Sequence, residues 1–155
     1  MPSTTPVQLH ADAQSDPFAL LIAQLIESNL TDHPTKRRQF LVMDGRVALV
    51  ADDMQSALTL DFRDGMLMIH KGIYGLPQIT VRATSGDIVD MSRIELLQLG
   101  PWPVLDPRGK VNRQLAQSVW KRKIHMRSGW RTLPLAWRLM QLMAVNAAQP
   151  LRRRA

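Results

Sequence analysis

The 155-residue sequence contains no cysteine. This absence excludes a disulfide framework, cysteine-based zinc sites, thiol catalysis and iron–sulfur chemistry, and it agrees with a cytoplasmic location. Long apolar runs are also missing. Arg138, Gln141 and Asn146 interrupt the most apolar segment, residues 133–148, which falls short of the ~20 apolar residues of a membrane span. Residues 1–16 lack a basic segment followed by an apolar one, so no signal peptide is expected.

Acidic side chains are missing from the last third of the chain. Residues 107–155 contain twelve Lys or Arg and no Asp or Glu, whereas residues 1–106 hold eight basic and all thirteen acidic residues, a net charge of −5. This asymmetry predicts a polyanionic partner. The densest basic positions, which we expect to contact an anionic membrane, are Lys121, Arg122, Lys123, Arg152, Arg153 and Arg154.

Two other interpretations of the basic end remain open. Trp120, Trp130 and Trp137 lie near the bases, and aromatic side chains between bases can stack on nucleic acid, so a nucleic-acid-binding module is an alternative. No RNP, KH or helix-turn-helix signature accompanies them. The third interpretation is a structural or regulatory domain whose internal cavity is filled, with the basic strand as a solvated edge that discourages pairing with other chains.

Catalytic and metal-binding patterns are not found. His10, His33, His70 and His125 form no H-x-H, H-x-x-H or H-E-x-x-H motif. Asp52 and Asp53 lie in a predicted turn, and Asp87 and Asp90 lie at a predicted helix start, two places where acidic residues are common. Neither a G-x-S-x-G elbow nor a phosphate loop occurs. The sequence therefore predicts no enzyme, no cofactor and no metal site.

The periodicity of apolar residues predicts an α+β fold. Asp16 and Pro17 begin a helix, and a second, shorter helix covers residues 34–43. Alternating residues predict five strands at residues 46–51, 57–62, 66–71, 78–83 and 121–127. Further helices are predicted at residues 85–98, 111–120 and 132–146. Hairpin-like spacing indicates a mostly antiparallel five-stranded sheet with helices covering one face.

The predicted organisation is one domain between two tails. Residues 1–15 are polar and rich in Pro, Thr and Ser, which is typical of a flexible N-terminal tail. Residues 16–147 form the domain, and residues 148–155 form a basic C-terminal tail.

Three segments, in this order, resemble the sterol carrier protein type-2 family. They are residues 57–70 (ALTLDFRDGMLMIH), residues 79–88 (ITVRATSGDI) and residues 123–130 (KIHMRSGW), the last leading into the apolar helix. The family's glycine after the basic strand is here Arg127 or Ser128, with Gly129 offset, and residues 101–120 form a longer insert. The chain therefore resembles a divergent, bacterial-type variant whose ligand need not be a sterol.

The resemblance implies an apolar cavity between the sheet and the C-terminal helix. This cavity would bind, without catalysis, a fatty acid, a sterol or a phospholipid, with transfer of the ligand as one use. Strand alternation, together with the apolar face of the last helix, selects the expected lining. It consists of Leu58, Leu60, Phe62, Leu67, Ile69, Ile79, Val81, Ile124, Met126, Trp137, Met140 and Met143.

Overall fold

The computed structural model describes residues 6–91, 96–99, 102–105, 125–128, 130–144 and 149–150. The strands within these ranges are β1 (Val7–Leu9), β2 (Gly45–Ala51), β3 (Ser56–Arg63), β4 (Met66–Lys71), β5 (Ile79–Ala83), β6 (Leu96–Leu99), β7 (Trp102–Leu105), β8 (His125–Ser128) and β9 (Gln149–Pro150). The helices are α1 (Pro17–Asp32), α2 (Pro34–Leu41), α3 (Ser85–Met91) and α4 (Leu133–Met143), and a short 3₁₀ turn, Trp130–Thr132, precedes α4.

Helix α1 begins where the sequence predicts. The Asp16 carboxylate accepts hydrogen bonds from the backbone N–H groups of Phe18 (2.9 Å) and Ala19 (3.3 Å), which satisfies two donors that a helix start leaves free. Phe18, Ile22 and Ile26, spaced four residues apart, are fully buried. Helix α1 therefore presents one apolar stripe to the sheet.

The main sheet has six strands in the order β1-β4-β3-β2-β5-β8. Strands β1 and β4 run parallel, as do β2 and β5, whereas the other three neighbouring pairs are antiparallel. The predicted α+β class is confirmed, and the five predicted strands are present as β2, β3, β4, β5 and β8 with β1 as an addition, but the sheet is mixed and not mostly antiparallel. The sheet is mixed because β5 returns beside β2 after a crossing loop instead of pairing with β4 as a further hairpin strand.

The register places the apolar residues of the central strands on one face. Val47 lies opposite Leu60 in β3 and Ile79 in β5, and Leu60 lies opposite Ile69 in β4. These four side chains have at most 1% of their surface exposed. Because strand side chains alternate with a period of two, this shared register buries one whole face of the sheet.

Strand β1 falls inside the segment that the sequence suggested as a loose tail. The backbone N–H of Leu67 donates to the carbonyl of Pro6 (2.8 Å), and the N–H of His10 donates to the carbonyl of Ile69 (2.9 Å). Val7 is buried in the core. The segment Val7–Leu9 therefore adds a strand to the edge of the sheet beside β4.

Several further predictions meet a different or partial outcome. The helix expected to run through residue 98 ends at Met91, and residues 96–99 instead form β6 in a second sheet of order β7-β6-β9. Part of the predicted basic C-terminal tail, Gln149–Pro150, pairs with β6. The basic strand is present at His125–Ser128, while the expected helix at 111–120 lies outside the described residues. None of the described helices is long and apolar enough to cross a bilayer.

Candidate functional site

The inner face of the sheet gathers the strand residues that were predicted to line a cavity. All of them are buried, with at most 2% of their surface exposed, and all belong to one core cluster with residues of α1, α2 and α4. They are Leu58, Leu60, Phe62, Leu67, Ile69, Ile79 and Val81. The apolar residues that alternate with polar ones in the sequence thus form one continuous apolar surface that faces the helices.

The half of this surface near β1 and β4 is closed by helix packing. Helix α1 lies over these two strands. Phe40 of α2 meets Phe62 edge to face, with ring centroids 6.0 Å apart and an angle of 75° between the rings, an arrangement that aromatic pairs prefer. These side chains form a tightly packed core on this half.

Helix α4 covers the core with one face and leaves two large side chains partly accessible. Leu135, Leu139 and Leu142 are buried in the core. Trp137 and Met140, three residues apart, are only half-buried, and Met140 packs against the core. Met143, which shares the face of Met140, is buried. Gln141, a polar residue within this apolar segment, has only 9% of its surface exposed.

Three contacts hold α4 in place against the rest of the domain. The Asn29 side chain on α1 donates hydrogen bonds to the carbonyls of Leu142 (2.9 Å) and Met143 (3.1 Å), two groups that the end of a helix leaves without partners. Arg138 donates to the carbonyl of Val42 (3.2 Å). At Gly45, where φ is +130°, an added Cβ would lie 2.8 Å from Leu135 Cδ2, so α4 comes close to the start of β2.

The remaining predicted site residues are only partly described. Met126 lies on β8 opposite Val81 in the register. Ile124, Lys121, Arg122, Lys123, Arg152, Arg153 and Arg154 lie outside the described residues. The proposed roles of these residues therefore stay predictions.

A polar cluster that the sequence analysis missed lies on the opposite, outer face of the sheet. His10 Nδ1 and Asp12 Oδ1 are joined by a 2.8 Å hydrogen bond. The His70 ring lies between those of His10 (centroids 4.7 Å apart) and Tyr74 (4.3 Å, nearly parallel). The guanidinium of Arg46 stands 5.4 Å from the centre of the Tyr74 ring. The spacing of His10 and Asp12 was the only sequence signal, because nothing local connects them with residue 70.

The electrostatics of this cluster favour neutral His70 and ionised Asp12. Burial, followed by the charge of His10, lowers the pKa of His70 below its ordinary value. The hydrogen bond from His10 is the main cause that lowers the pKa of Asp12. At neutral pH the cluster therefore offers a carboxylate and an imidazole with a free nitrogen lone pair.

The loop after β4 is pinned across the outer face. Thr59 donates to the carbonyl of Gly72 (2.8 Å), and its hydroxyl oxygen accepts from the backbone N–H of Tyr74 (2.8 Å). The loop exposes Ile73 and Leu76, the latter with 89% of its surface accessible. The crossing loop thus fixes the Tyr74 ring while presenting apolar side chains to solvent.

Comparison with known proteins identifies the architecture. No protein-family model and no curated protein matches this sequence. Among solved structures, sterol carrier protein domain 2 of Helicoverpa armigera is similar over 84% of this chain and 91% of its own, with a TM-score of 0.54 and 13% identity. The UbiJ-SCP2 ubiquinone synthesis protein is similar over 80% of this chain and 86% of its own, with a TM-score of 0.51 and 13% identity.

The chain has a sterol carrier protein 2-like fold. At these identities the likeness describes the fold alone, and it confirms the resemblance drawn from the order of the sequence segments. In this sterol carrier protein 2-like fold, the buried strand residues form the inner sheet face, and α4 is the apolar helix that closes over the core.

Proposed function

We propose that the chain is a non-catalytic carrier that binds a lipid or another hydrophobic ligand between the inner sheet face and helix α4. The fold supports this proposal, because a structural neighbour is named as a sterol carrier protein domain. The composition of the inner face supports it as well, since small-molecule sites are lined mainly by apolar and aromatic side chains.

The observation that carries the proposal is the half-burial of Trp137 and Met140 on α4, beside the buried Leu139 of the same helix. Large apolar side chains left partly accessible beside a closed core gain free energy when a ligand covers them, at about 25 cal/mol per Å². Methionine adapts its shape to varied apolar partners. A bound acyl chain would cover these two side chains.

The expected lining divides into a floor and a contact surface. We propose that five buried residues of β3 and β4 form the floor: Leu58, Leu60, Phe62, Leu67 and Ile69. We propose that the ligand contacts the other half, whose members are Ile79, Val81, Ile124, Met126, Trp137, Met140 and Met143. This half follows β5, β8 and α4.

The ligand class follows from the apolar character of these side chains. A fatty acid, a sterol and a phospholipid acyl chain all present the unbranched or fused apolar surface that such a lining accepts. A neighbour of the same fold is named as a ubiquinone synthesis protein, so a polyprenylated quinone belongs in the same ligand panel. The basic C-terminal end would hold the protein against anionic headgroups while the ligand passes, and a cytoplasmic location stays a prediction.

Native mass spectrometry of the freshly purified chain, followed by organic extraction, tests the proposal. A stoichiometric adduct of lipid mass is expected, and extraction identifies its class. Met140→Gln places an amide in the proposed contact surface and should weaken ligand binding about tenfold, which corresponds to ~1.4 kcal/mol. Leu133→Gln, the same kind of change at an exposed position of the same helix, should leave the affinity unchanged.

Two outcomes would overturn the carrier proposal. One is a clean apo mass that persists after incubation with fatty acids, sterols, phospholipids and a polyprenylated quinone. The other is equal affinity of the Met140→Gln and unmodified proteins. If, in addition, duplex DNA binds with a steep dependence on salt, the nucleic-acid-binding alternative takes its place.

A further inference from the structure

The pairing of β1 with β4 brings three metal-ligating side chains to one point on the outer sheet face. The backbone N–H of His10 donates to the carbonyl of Ile69 (2.9 Å), which places His10 beside His70. Asp12 follows in the next turn, and its carboxylate also accepts the backbone N–H of Lys71 (3.3 Å). Three ligand atoms lie within 4.8 Å of one another: an imidazole nitrogen of His10, an imidazole nitrogen of His70 and a carboxylate oxygen of Asp12.

These separations are close to those of a coordinated ion. Zinc binds imidazole nitrogen and carboxylate oxygen at about 2.0–2.2 Å, so two ligands of one tetrahedral zinc lie ~3.4 Å apart. The His10 and Asp12 atoms are already 2.8 Å apart. Both side chains are about half exposed, so they have room to rotate and bring the three donors towards one ion.

A second layer of contacts orients the His70 ring. Tyr74 stacks on His70 at 4.3 Å, with 12° between the ring planes. Arg46, which lies over Tyr74, is itself fixed by a 3.0 Å ion pair with Asp61. Such outer contacts restrict a ligand to a binding orientation and thereby raise metal affinity. The inner sheet face contributes nothing to this arrangement.

We propose that His10, Asp12 and His70 bind one divalent transition-metal ion of the zinc type. Two imidazoles and one carboxylate suit zinc, copper, nickel and iron(II), whereas magnesium and calcium require sites built from oxygen ligands. Water completes the coordination, because three protein ligands leave a position open. The site lies on the face opposite the proposed lipid site and does not depend on that function.

The ion would join the N-terminal segment to strand β4. His10 and Asp12 follow β1, an edge strand of three residues, while His70 lies near the end of β4. A bridge between them holds the short edge strand on the sheet. Metal binding therefore stabilises the folded chain by an amount that grows with the logarithm of the metal concentration once this concentration exceeds the dissociation constant.

Isothermal titration of the untagged, chelator-treated full chain with zinc chloride tests the site. One zinc ion per chain is expected, with a rise in the unfolding temperature as zinc saturates. His10→Gln, Asp12→Asn and His70→Gln should each weaken zinc binding at least about tenfold. His33→Gln makes the same change outside the cluster and should bind zinc like the unmodified chain, and magnesium chloride should give no binding heat.

His10 and Asp12 are exposed, so their variants are expected to fold, and far-UV circular dichroism checks this directly. The proposal is overturned if zinc does not saturate at one ion per chain. It is also overturned if folded His10→Gln and Asp12→Asn proteins retain the full affinity, or if His33→Gln lowers it equally. A preference for magnesium over zinc would contradict the assigned ligand chemistry.

Discussion

The amine of Lys36 on helix α2 is buried and has no hydrogen-bond partner in the described part of the chain. Only 6% of its surface is exposed, and no hydrogen-bond partner for Nζ is present among the described residues. Burial disfavours the ammonium and lowers the pKa of Lys36 to about 8 from its ordinary 10.5. Between about pH 8 and pH 10.5, Lys36 is mostly protonated in the unfolded chain and mostly neutral in the folded chain. The unfolded chain therefore binds more protons than the folded chain, and the stability of the folded protein rises with pH across this window.

Lys36→Met should therefore stabilise the protein at pH 7. The replacement keeps an unbranched apolar stem and removes the buried charge, whose uncompensated burial costs about 1–3 kcal/mol. Urea unfolding should give a higher free energy of unfolding for Lys36→Met at pH 7 and a smaller difference from the unmodified protein at pH 10. Arg37→Met, at an exposed position of the same helix, should change little. Equal stability of Lys36→Met and the unmodified protein at pH 7 would contradict the prediction.

The inward position of Lys36 was partly predictable. Lys36 precedes the buried Phe40 by four residues and so shares its helix face. However, residues 36–38 are Lys-Arg-Arg, and the rotation of so short a helix is set by its tertiary contacts. Likewise, the separation of His10 from His70 in the sequence hid the polar cluster, because no local rule pairs residues 60 positions apart.

At the scale of elements, alternation predicted which residues of each central strand are buried but not how the strands pair. Leu58 and Leu60 alternate with Thr59 and Asp61, and this pattern is the same for a parallel or an antiparallel neighbour. The hairpin between β3 and β4 was predictable, since Asp64 and Gly65 adopt the positive φ values, 53° and 72°, that a tight turn requires. The parallel pairing of β2 with β5 depends on the crossing loop, which carries no such local signal.

Helix α4 depends on α1 for the satisfaction of its C-terminal carbonyls, and this dependence gives a prediction. Asn29→Ala removes two buried hydrogen bonds to the carbonyls of Leu142 and Met143, and it should lower the free energy of unfolding by about 1–3 kcal/mol. Hydrogen exchange should become faster at the amides of the last turn of α4. Ser28→Ala, at the exposed neighbouring position, should change stability by less than about 0.5 kcal/mol. Unchanged exchange in α4 would show that Asn29 does not anchor it.

At the scale of the whole molecule, charge is divided between an acidic body and a basic end. Residues 107–155 carry twelve basic side chains and no acid. Such an asymmetry acts over distances of about a Debye length, ~8 Å at physiological salt. This division of charge is fully predictable from the sequence. The partner of the basic end is not, because membranes and nucleic acids attract it through the same charge.

The position of the charges, rather than the net charge, should decide membrane binding. Replacing Lys121, Arg122 and Lys123 with Gln should weaken binding to vesicles that contain phosphatidylserine by tenfold or more, since each basic residue near an anionic leaflet contributes about 1 kcal/mol. Replacing the exposed Arg37, Arg38 and Arg63 with Gln removes the same charge from the acidic body and should have a much smaller effect. Co-sedimentation measures both, and 1 M salt, where the Debye length is ~3 Å, should abolish binding. Equal losses in the two triple variants would mean that net charge alone acts, whereas binding that persists in high salt would assign the contact to apolar side chains instead.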